Sequence, residues 1–276
     1  MPTRSRCRRR STQRRRDVAP KPLVHVEHVM GTVVSFDLRF SDETKRPAME
    51  AAVGNAVVWL HDVDDVFSTY RDDSQISRLG RGELRLADCN DNVAEVLDLC
   101  AAVGRETDGY FSCTFSGRLD PTGLVKGWAV QRASELLTVA GSAHHCVNGG
   151  GDIQAAGGRA RGVPWQVGIS HPLEPSGFAS VVKVTDGAVA TSGTAERGAH
   201  VVDPHTGRPA ETLASVTVVG PDLIRSDAYA TAALAMGESA RNWLESQPGY
   251  EGFAVAADGS GWWTSGYPRV GSVPPH

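Results

Sequence analysis

Long hydrophobic runs, paired cysteines and repetitive segments are missing from this sequence of 276 residues. None of its apolar stretches reaches about eighteen residues, so no segment is predicted to span a membrane. Its five cysteines are odd in number, scattered along the chain and never spaced as CxxC, which argues against a disulfide framework and against a zinc site. This cysteine usage fits a reducing compartment, and we expect a cytoplasmic protein without an export or lipoprotein signal.

The N-terminal segment differs in charge from the rest of the chain. Residues 1–21 contain eight Arg and one Lys against a single Asp, whereas the whole chain has a net charge of -4. No apolar stretch accompanies the arginines, so the segment lacks the hydrophobic part of a secretory leader. We predict that residues 1–24 form a basic, disordered tail. A nucleic-acid-binding or lipid-binding arm and a translation start near Met30 are the alternatives, but the tail has no interleaved aromatic residues and no nucleic-acid partner is expected.

Hydrophobic periodicity predicts an α+β fold. Apolar and polar residues alternate over 32–40, as in a half-buried strand. Apolar residues recur every three or four positions over 46–66, 92–106, 124–140 and 226–236, which predicts four helices. Further strands are predicted at 165–169, 180–185, 214–219 and 253–257, between turn residues. No linker divides residues 25–276, so we predict a single domain of largely antiparallel sheet with packed helices.

Glycine is concentrated in three segments, 120–127, 148–152 and 191–193. Glycine lets a backbone approach a phosphate closely, and Lys126 stands near a predicted helix start, where anions are stabilised. Ordinary turns are the alternative for any one cluster. The chain has neither a P-loop pattern nor a GxGxxG between a strand and a helix. Together the clusters therefore indicate a nucleotide diphosphate held in a different cradle.

Two oxygen-bearing side chains lie four residues apart in the last predicted helix. Asp227 and Thr231 therefore share one helix face. Magnesium usually takes one or two protein oxygens and completes its octahedron with water and substrate phosphate. The pair predicts a metal that arrives with the nucleotide. The alternative is that Asp227 caps the helix and Thr231 has no special role.

A histidine stands at the start of an apolar run that ends in a proline-containing turn. A lone His200 in this position is more often structural. Near a nucleotide, however, a neutral imidazole can accept the proton of an attacking hydroxyl group. His205, inside the turn, is the weaker candidate for this role.

Seven segments follow one another along the chain: 30–32, 67–77, 120–127, 148–153, 190–193, 200–207 and 227–232. This ordered series resembles the ApbE family, the FAD:protein FMN transferases. The resemblance implies an enzyme with FAD as substrate and Mg²⁺, or Mn²⁺, as cofactor. It also implies a partner, an acceptor flavoprotein whose loop Thr or Ser receives FMN through a phosphodiester while AMP leaves. The resemblance covers residues 28 to about 257.

The same resemblance implies roles for individual positions. The metal would be held by Asp227, Thr231 and the carbonyl of Gly123, and His200 would activate the acceptor hydroxyl. Lys126 would face phosphate. The positions expected to contact FAD are Met30, Tyr70, Gly109, Tyr110, Phe111, Asp120, Lys126, Thr191, Ser192, Gly193 and Val201.

The chain departs from the family pattern in two places. The loop before Asp120 is shorter than usual, so Tyr110 and Phe111 are expected to act either as stacking or as backbone partners of the flavin. Some relatives carry a second acid beside the metal Asp, whereas position 230 is Ala here, so weaker metal binding is expected.

Two other functions stay open at this point. One is an FAD pyrophosphatase, which would release FMN and AMP. The other is a non-catalytic FAD carrier. The presence of Asp227, Thr231 and His200 together favours catalysis, because a carrier needs neither a bridging cation nor a base.

Overall fold

The computed structural model describes residues 21–115, 117–174, 176–194 and 201–272. Nearly all of the predicted tail lies outside these residues, and the first strand begins at Leu23, inside the tail's predicted bounds. The helices within the described residues are α1 Arg46–Phe67, α2 Gln75–Gly80, α3 Asp91–Glu106, α4 Thr122–Val139, α5 Leu223–Met236 and α6 Ala240–Glu245. None of them combines the length and apolarity that crossing a membrane requires.

The strands pair into one large and two small sheets. Their bounds are β1 Leu23–Val29, β2 Thr32–Leu38, β3 Thr114–Phe115, β4 Arg118–Leu119, β5 His145–Gly149, β6 Asp152–Ala156, β7 Trp165–Ser170, β8 Phe178–Val184, β9 Gly187–Gly193, β10 Leu213–Gly220, β11 Glu251–Ala256, β12 Gly261–Trp263 and β13 Gly271–Ser272. The large sheet has the order β1-β2-β5-β6-β9-β10-β11-β12, and every neighbouring pair is antiparallel. The predicted α+β fold with a largely antiparallel sheet is confirmed.

The large sheet is covered on both faces. Helices α1, α4 and α5 pack on one face, where Trp128 and Leu60 are fully buried. The three-stranded sheet β13-β8-β7 accompanies a second core that contains Trp165 and Phe253. Both faces of the central strand β10 are covered. Seven of its eight residues are therefore buried.

The elements with strong periodicity are those that the sequence predicted. The four predicted helices correspond to α1, α3, α4 and α5, with ends that differ by at most three residues. The predicted strands correspond to β2, β7, β8, β10 and β11. Asn90 caps α3, since its side chain accepts the Asn92 amide at 2.9 Å.

One glycine cluster is a hairpin turn. Gly149 pairs with Asp152, and the two residues between them, Gly150 and Gly151, have φ of 60° and 99°. Positive φ at both central residues is the geometry of the two-residue turn that joins antiparallel strands. The turn interpretation is therefore correct for 148–152, and the turn delivers Asp152 to the first position of β6.

A buried histidine links α4 to this hairpin. His145, at the start of β5, is fully buried, and its ring nitrogens lie 2.8 Å from Ser134 Oγ and 3.1 Å from Ser142 Oγ. Burial disfavours the charged ring and lowers the pKa of His145 to about 4.

We predict that this histidine makes the fold acid-sensitive. Its folded pKa lies below the ordinary value of 6.5, so the unfolded chain binds the proton first as the pH falls. The free energy of unfolding should fall by about 2 kcal/mol from this group between pH 7 and pH 5. Urea denaturation at the two pH values measures the loss, and His145→Gln should show less of it. An equal loss in the variant would contradict the assignment.

Candidate active site

Three charged side chains meet where α4, α5 and the β5–β6 hairpin come together. Lys126 of α4 contacts Asp152 Oδ2 through its Nζ atom, which also lies 3.3 Å from Asp227 Oδ2 on α5. The carboxylates are almost inaccessible, with side-chain exposures of 2% for Asp152 and 6% for Asp227, whereas Lys126 is 25% exposed. One ammonium therefore faces two buried carboxylates, which leaves one negative charge in excess.

The two carboxylates are also short of hydrogen bonds. Asp152 Oδ1 accepts the Thr191 amide at 2.9 Å. Asp152 Oδ2 has the Lys126 ammonium as its partner, whereas Asp227 Oδ2 receives no directed hydrogen bond from any described residue and lies 3.3 Å from that ammonium. A buried charge is costly unless it is paired, hydrogen-bonded or bound to a metal, so this cluster has capacity for a further cation.

Gly127 allows the two helices to approach closely enough for this cluster to form. A Cβ atom at Gly127 would lie 2.8 Å from Leu223 O, 3.0 Å from Asp227 Cβ and 3.1 Å from Asp227 Oδ2. Any larger residue would push α5 away from α4. The glycine in 120–127 that matters most for the cluster is therefore a packing residue of the helix pair.

The C-terminal end of β9 lies beside the face of α5 that carries Asp227 and Thr231. Thr231 follows Asp227 by about one helical turn, and its Oγ1 lies 3.0 Å from Ser192 Oγ. Thr191 Oγ1 lies 2.8 Å from Thr217 Oγ1 on β10. A Cβ atom at Gly193 would lie 2.9 Å from Ala214 O, so this glycine also allows close packing. The structure thus groups Thr191, Ser192 and Thr231 near the charge cluster.

Helix α5 is fixed in rotation by a polar network at its N-terminal half. Arg225 Nη2 donates to Glu106 Oε1 at 2.9 Å, and Tyr229 Oη donates to Glu106 Oε2 at 2.8 Å. The hydrogen bond from Arg225 lowers the pKa of Glu106, and burial raises the pKa of Tyr229 to about 12. Asp222 caps the helix by accepting the Arg225 amide at 2.8 Å, so the alternative that Asp227 is the cap is wrong.

The donor set around Asp227 fits magnesium better than zinc. The described residues contain no cluster of three or more His, Cys, Asp and Glu side chains. Magnesium needs few protein oxygens, and Asp227 Oδ2 is a buried carboxylate oxygen without a directed donor. Gly123 lies in the first turn of α4, one turn before Gly127, which approaches the Asp227 carboxylate.

The residues predicted to contact the flavin near position 110 differ in how exposed they are. Gly109 has a φ of 83° and turns the chain after α3, and the Tyr110 ring packs edge-on against His205 with centroids 4.5 Å apart. Phe111 is 4% exposed and belongs to the core beside Gly123, so the expectation that its ring stacks on a flavin is wrong. Its backbone alone is available as a partner. Tyr70, by contrast, is 97% exposed in the turn after α1.

The remaining predicted positions lie on turns and helix starts. Met30 has a φ of 54° in the β1–β2 hairpin turn. Asp120 Oδ1 accepts the amide and the hydroxyl of Thr122, at 3.1 and 2.6 Å, and so supports the start of α4. Val201 is half-buried, and its carbonyl accepts the Ala210 amide. His200 lies outside the described residues.

Asp152 is the residue that the sequence analysis missed. It was noted only as the end of a glycine cluster, and no role was assigned to it. The sequence contains one signal for a buried acid here, because Asp152 directly precedes the apolar residue Ile153. Its partner Lys126 is 26 positions earlier in the chain, so no local spacing connects the two.

We predict that Gly127→Ala destabilises the protein, because the added methyl group meets backbone and carboxylate atoms of α5. Gly54→Ala is the matched control, since Gly54 is also helical and a Cβ there meets nothing within 4 Å. Relative to that control, Gly127→Ala should lower the free energy of unfolding by about 1–3 kcal/mol. Urea denaturation measures both. Equal effects would show that the helices do not pack this closely.

Comparison with known proteins connects the chain to one family. The ApbE family profile matches residues 30–117 and 116–254. The FAD:protein FMN transferase of Salmonella typhimurium is 29% identical over 156 residues, which are 53% of this chain and 45% of that protein. The Rhodobacter capsulatus protein of the same name is 30% identical over 222 residues, 76% of this chain and 39% of that protein. The chain thus spans less than half the length of these curated relatives.

Solved structures share the fold. The ApbE protein of Thermotoga maritima superimposes with a TM-score of 0.79 at 20% identity, covering 91% of this chain and 99% of that chain. The flavin transferase ApbE of Vibrio cholerae gives a TM-score of 0.75, also at 20% identity, over 91% of this chain and 99% of that chain. At this level of identity, the likeness shows a common fold.

Proposed function

The chain belongs to the ApbE family, and from this membership we propose that it is a magnesium-dependent FAD:protein FMN transferase. The proposal is supported above all by the charge cluster, in which two buried carboxylates share one lysine. An excess negative charge beside Thr231 and Ser192 would suit a divalent cation that binds together with a pyrophosphate substrate. Related proteins that carry the name FAD:protein FMN transferase support the choice of substrate.

In this proposal the chain's own residues bind and orient the reactants. Asp227 and Thr231, with the Gly123 carbonyl, would hold the cation, and Lys126 would contact phosphate. A divalent cation bound there would neutralise charge on the pyrophosphate and favour the departure of AMP. Tyr70, which is almost fully exposed, is available to stack on the isoalloxazine ring.

The transfer itself needs no covalent intermediate on this chain. His200 accepts the proton of a Thr or Ser hydroxyl on the acceptor flavoprotein. The hydroxyl oxygen then forms a bond to the FMN phosphorus while the phosphoanhydride bond to AMP breaks. Positioning and electrostatic stabilisation supply most of the rate in such phosphoryl transfers. The product is FMN joined to the acceptor by a phosphodiester.

The test of this function is intact-mass spectrometry of a candidate acceptor incubated with this chain, FAD and Mg²⁺. We expect a gain of one FMN per acceptor, an equal amount of AMP and loss of both signals with a chelator. AMP without a mass gain, seen with several acceptors, would instead establish an FAD pyrophosphatase. Bound FAD without AMP would establish a carrier.

We predict that Asp227→Asn lowers the transfer rate by about 100-fold or more, because the variant loses a charged metal ligand while its shape is kept. Asp98→Asn is the control, since Asp98 is exposed on α3 and far from the cluster in sequence. Initial rates of AMP release at saturating FAD measure the effect. If Asp227→Asn keeps the rate of the control, Asp227 is not the metal ligand.

His200→Ala is predicted to lower kcat by about 100-fold or more while FAD affinity changes little, as expected for a general base. Single-turnover rates and quenching of flavin fluorescence separate the two quantities. Weaker FAD binding with an unchanged rate at saturation would make His200 a binding residue.

A further inference from the structure

The cation position beside Asp227 already holds a positive charge from the chain itself. Lys126 Nζ lies 3.3 Å from Asp227 Oδ2. This oxygen receives no directed hydrogen bond from any described residue. A magnesium ion would stand about 2.0–2.1 Å from a ligating oxygen. An ammonium and a divalent cation on the same oxygen would repel each other strongly in this buried place. Binding of the cation therefore requires Lys126 to move away from Asp227.

Asp152 supplies the position to which Lys126 can retreat. It already contacts the Lys126 ammonium through Oδ2, and its Oδ1 is fixed by the Thr191 amide at 2.9 Å. Asp152 begins β6, directly after the hairpin turn, so its backbone is held by the sheet. Asp227 sits on a different element, α5. Lys126 thus has two partners: Asp152, which is fixed by the sheet, and Asp227, which can bind a metal in place of the lysine.

We propose that Lys126 is the resident counter-cation of the metal site and that Asp152 is the positioning residue that holds it when a divalent cation binds Asp227. The inference rests on the proposed function in one respect, the assignment of Asp227 as a metal ligand. Without metal, Lys126 balances part of the charge of both carboxylates. With metal, it pairs with Asp152 alone and its ammonium stays beside the bound phosphate.

This arrangement gives opposite effects on metal affinity for two substitutions in the same ion pair. Lys126→Gln removes the competing charge and should tighten Mn²⁺ binding by about tenfold or more. Asp152→Asn leaves Lys126 with Asp227 as its only anion and should weaken Mn²⁺ binding. A lysine that merely supported the site structurally would give weaker binding when it is removed. Lys183→Gln is the control, because it makes the same charge change at an exposed position on β8.

The experiment is calorimetric titration of the 276-residue chain with Mn²⁺ alone, without FAD, together with melting temperatures with and without Mn²⁺. Mn²⁺ is chosen because it shares the preference of Mg²⁺ for octahedral oxygen ligands. Tighter binding and a larger Mn²⁺-induced rise in melting temperature for Lys126→Gln than for Lys183→Gln support the proposal. Equal or weaker binding by Lys126→Gln, with wild type binding Mn²⁺, overturns this inference and leaves the proposed function intact. Absence of Mn²⁺ binding in wild type and in every variant overturns this inference, whereas the proposed function is overturned only by the absence of FMN transfer with FAD and Mg²⁺ present.

Two further variants complete the test. Asp152→Asn in the Lys126→Gln background should weaken binding less than it does in the wild type, as a double-mutant cycle measures. An equal loss in both backgrounds would show that Asp152 acts on the metal directly and would overturn its role as holder. If Lys126→Gln does not fold, Lys126→Arg serves in its place. A guanidinium pairs with carboxylates more firmly, so Lys126→Arg should bind Mn²⁺ more weakly, and unchanged affinity overturns the proposal.

Discussion

The site depends on the burial of two carboxylates around one ammonium. A charged side chain is buried at acceptable cost only when it is paired with an opposite charge. The three elements that carry Lys126, Asp152 and Asp227 must therefore pack within contact distance of one another. That requirement explains the small residues at their junction. Gly127 removes the side chain that would separate α4 from α5, and the Gly150–Gly151 turn brings β6 back beside β5 so that Asp152 opens it.

Much of the fold could be predicted from the sequence because its outer helices and several strands have one apolar face. The strands that escaped prediction, among them β5, β6 and β9, contain many small or polar residues, and β5 and β6 have only five residues each. Buried strands of this kind show little alternation, so their sequence pattern resembles that of a loop. The glycines of 148–152 illustrate the difficulty, since a phosphate cradle and a hairpin turn require the same backbone freedom.

The candidate site was predictable only in part, and the reason is sequence separation. Asp227 and Thr231 share a helix, so their common face followed from helical geometry alone. The pairing of Lys126 with Asp152 is set by the sheet order, in which β5 and β6 lie between β2 and β9. The burial of Phe111 depends on its contact with the start of α4, which no local pattern reveals. The shared fold at 20% identity supports the architecture, while function must be argued from the site itself.

The structure also separates the parts of the molecule that respond to acid from those that hold the site. The protonation state of Glu106 is protected by Arg225 and Tyr229, so the rotation of α5 should persist well below neutral pH. His145 behaves in the opposite way, because burial already lowers its pKa and acid favours the unfolded chain. Its partner Ser134 lies on α4, about two turns after Lys126. Acid therefore acts on the helix that carries Lys126 through the hydrogen bond between His145 and Ser134, because protonation of His145 favours the unfolded chain.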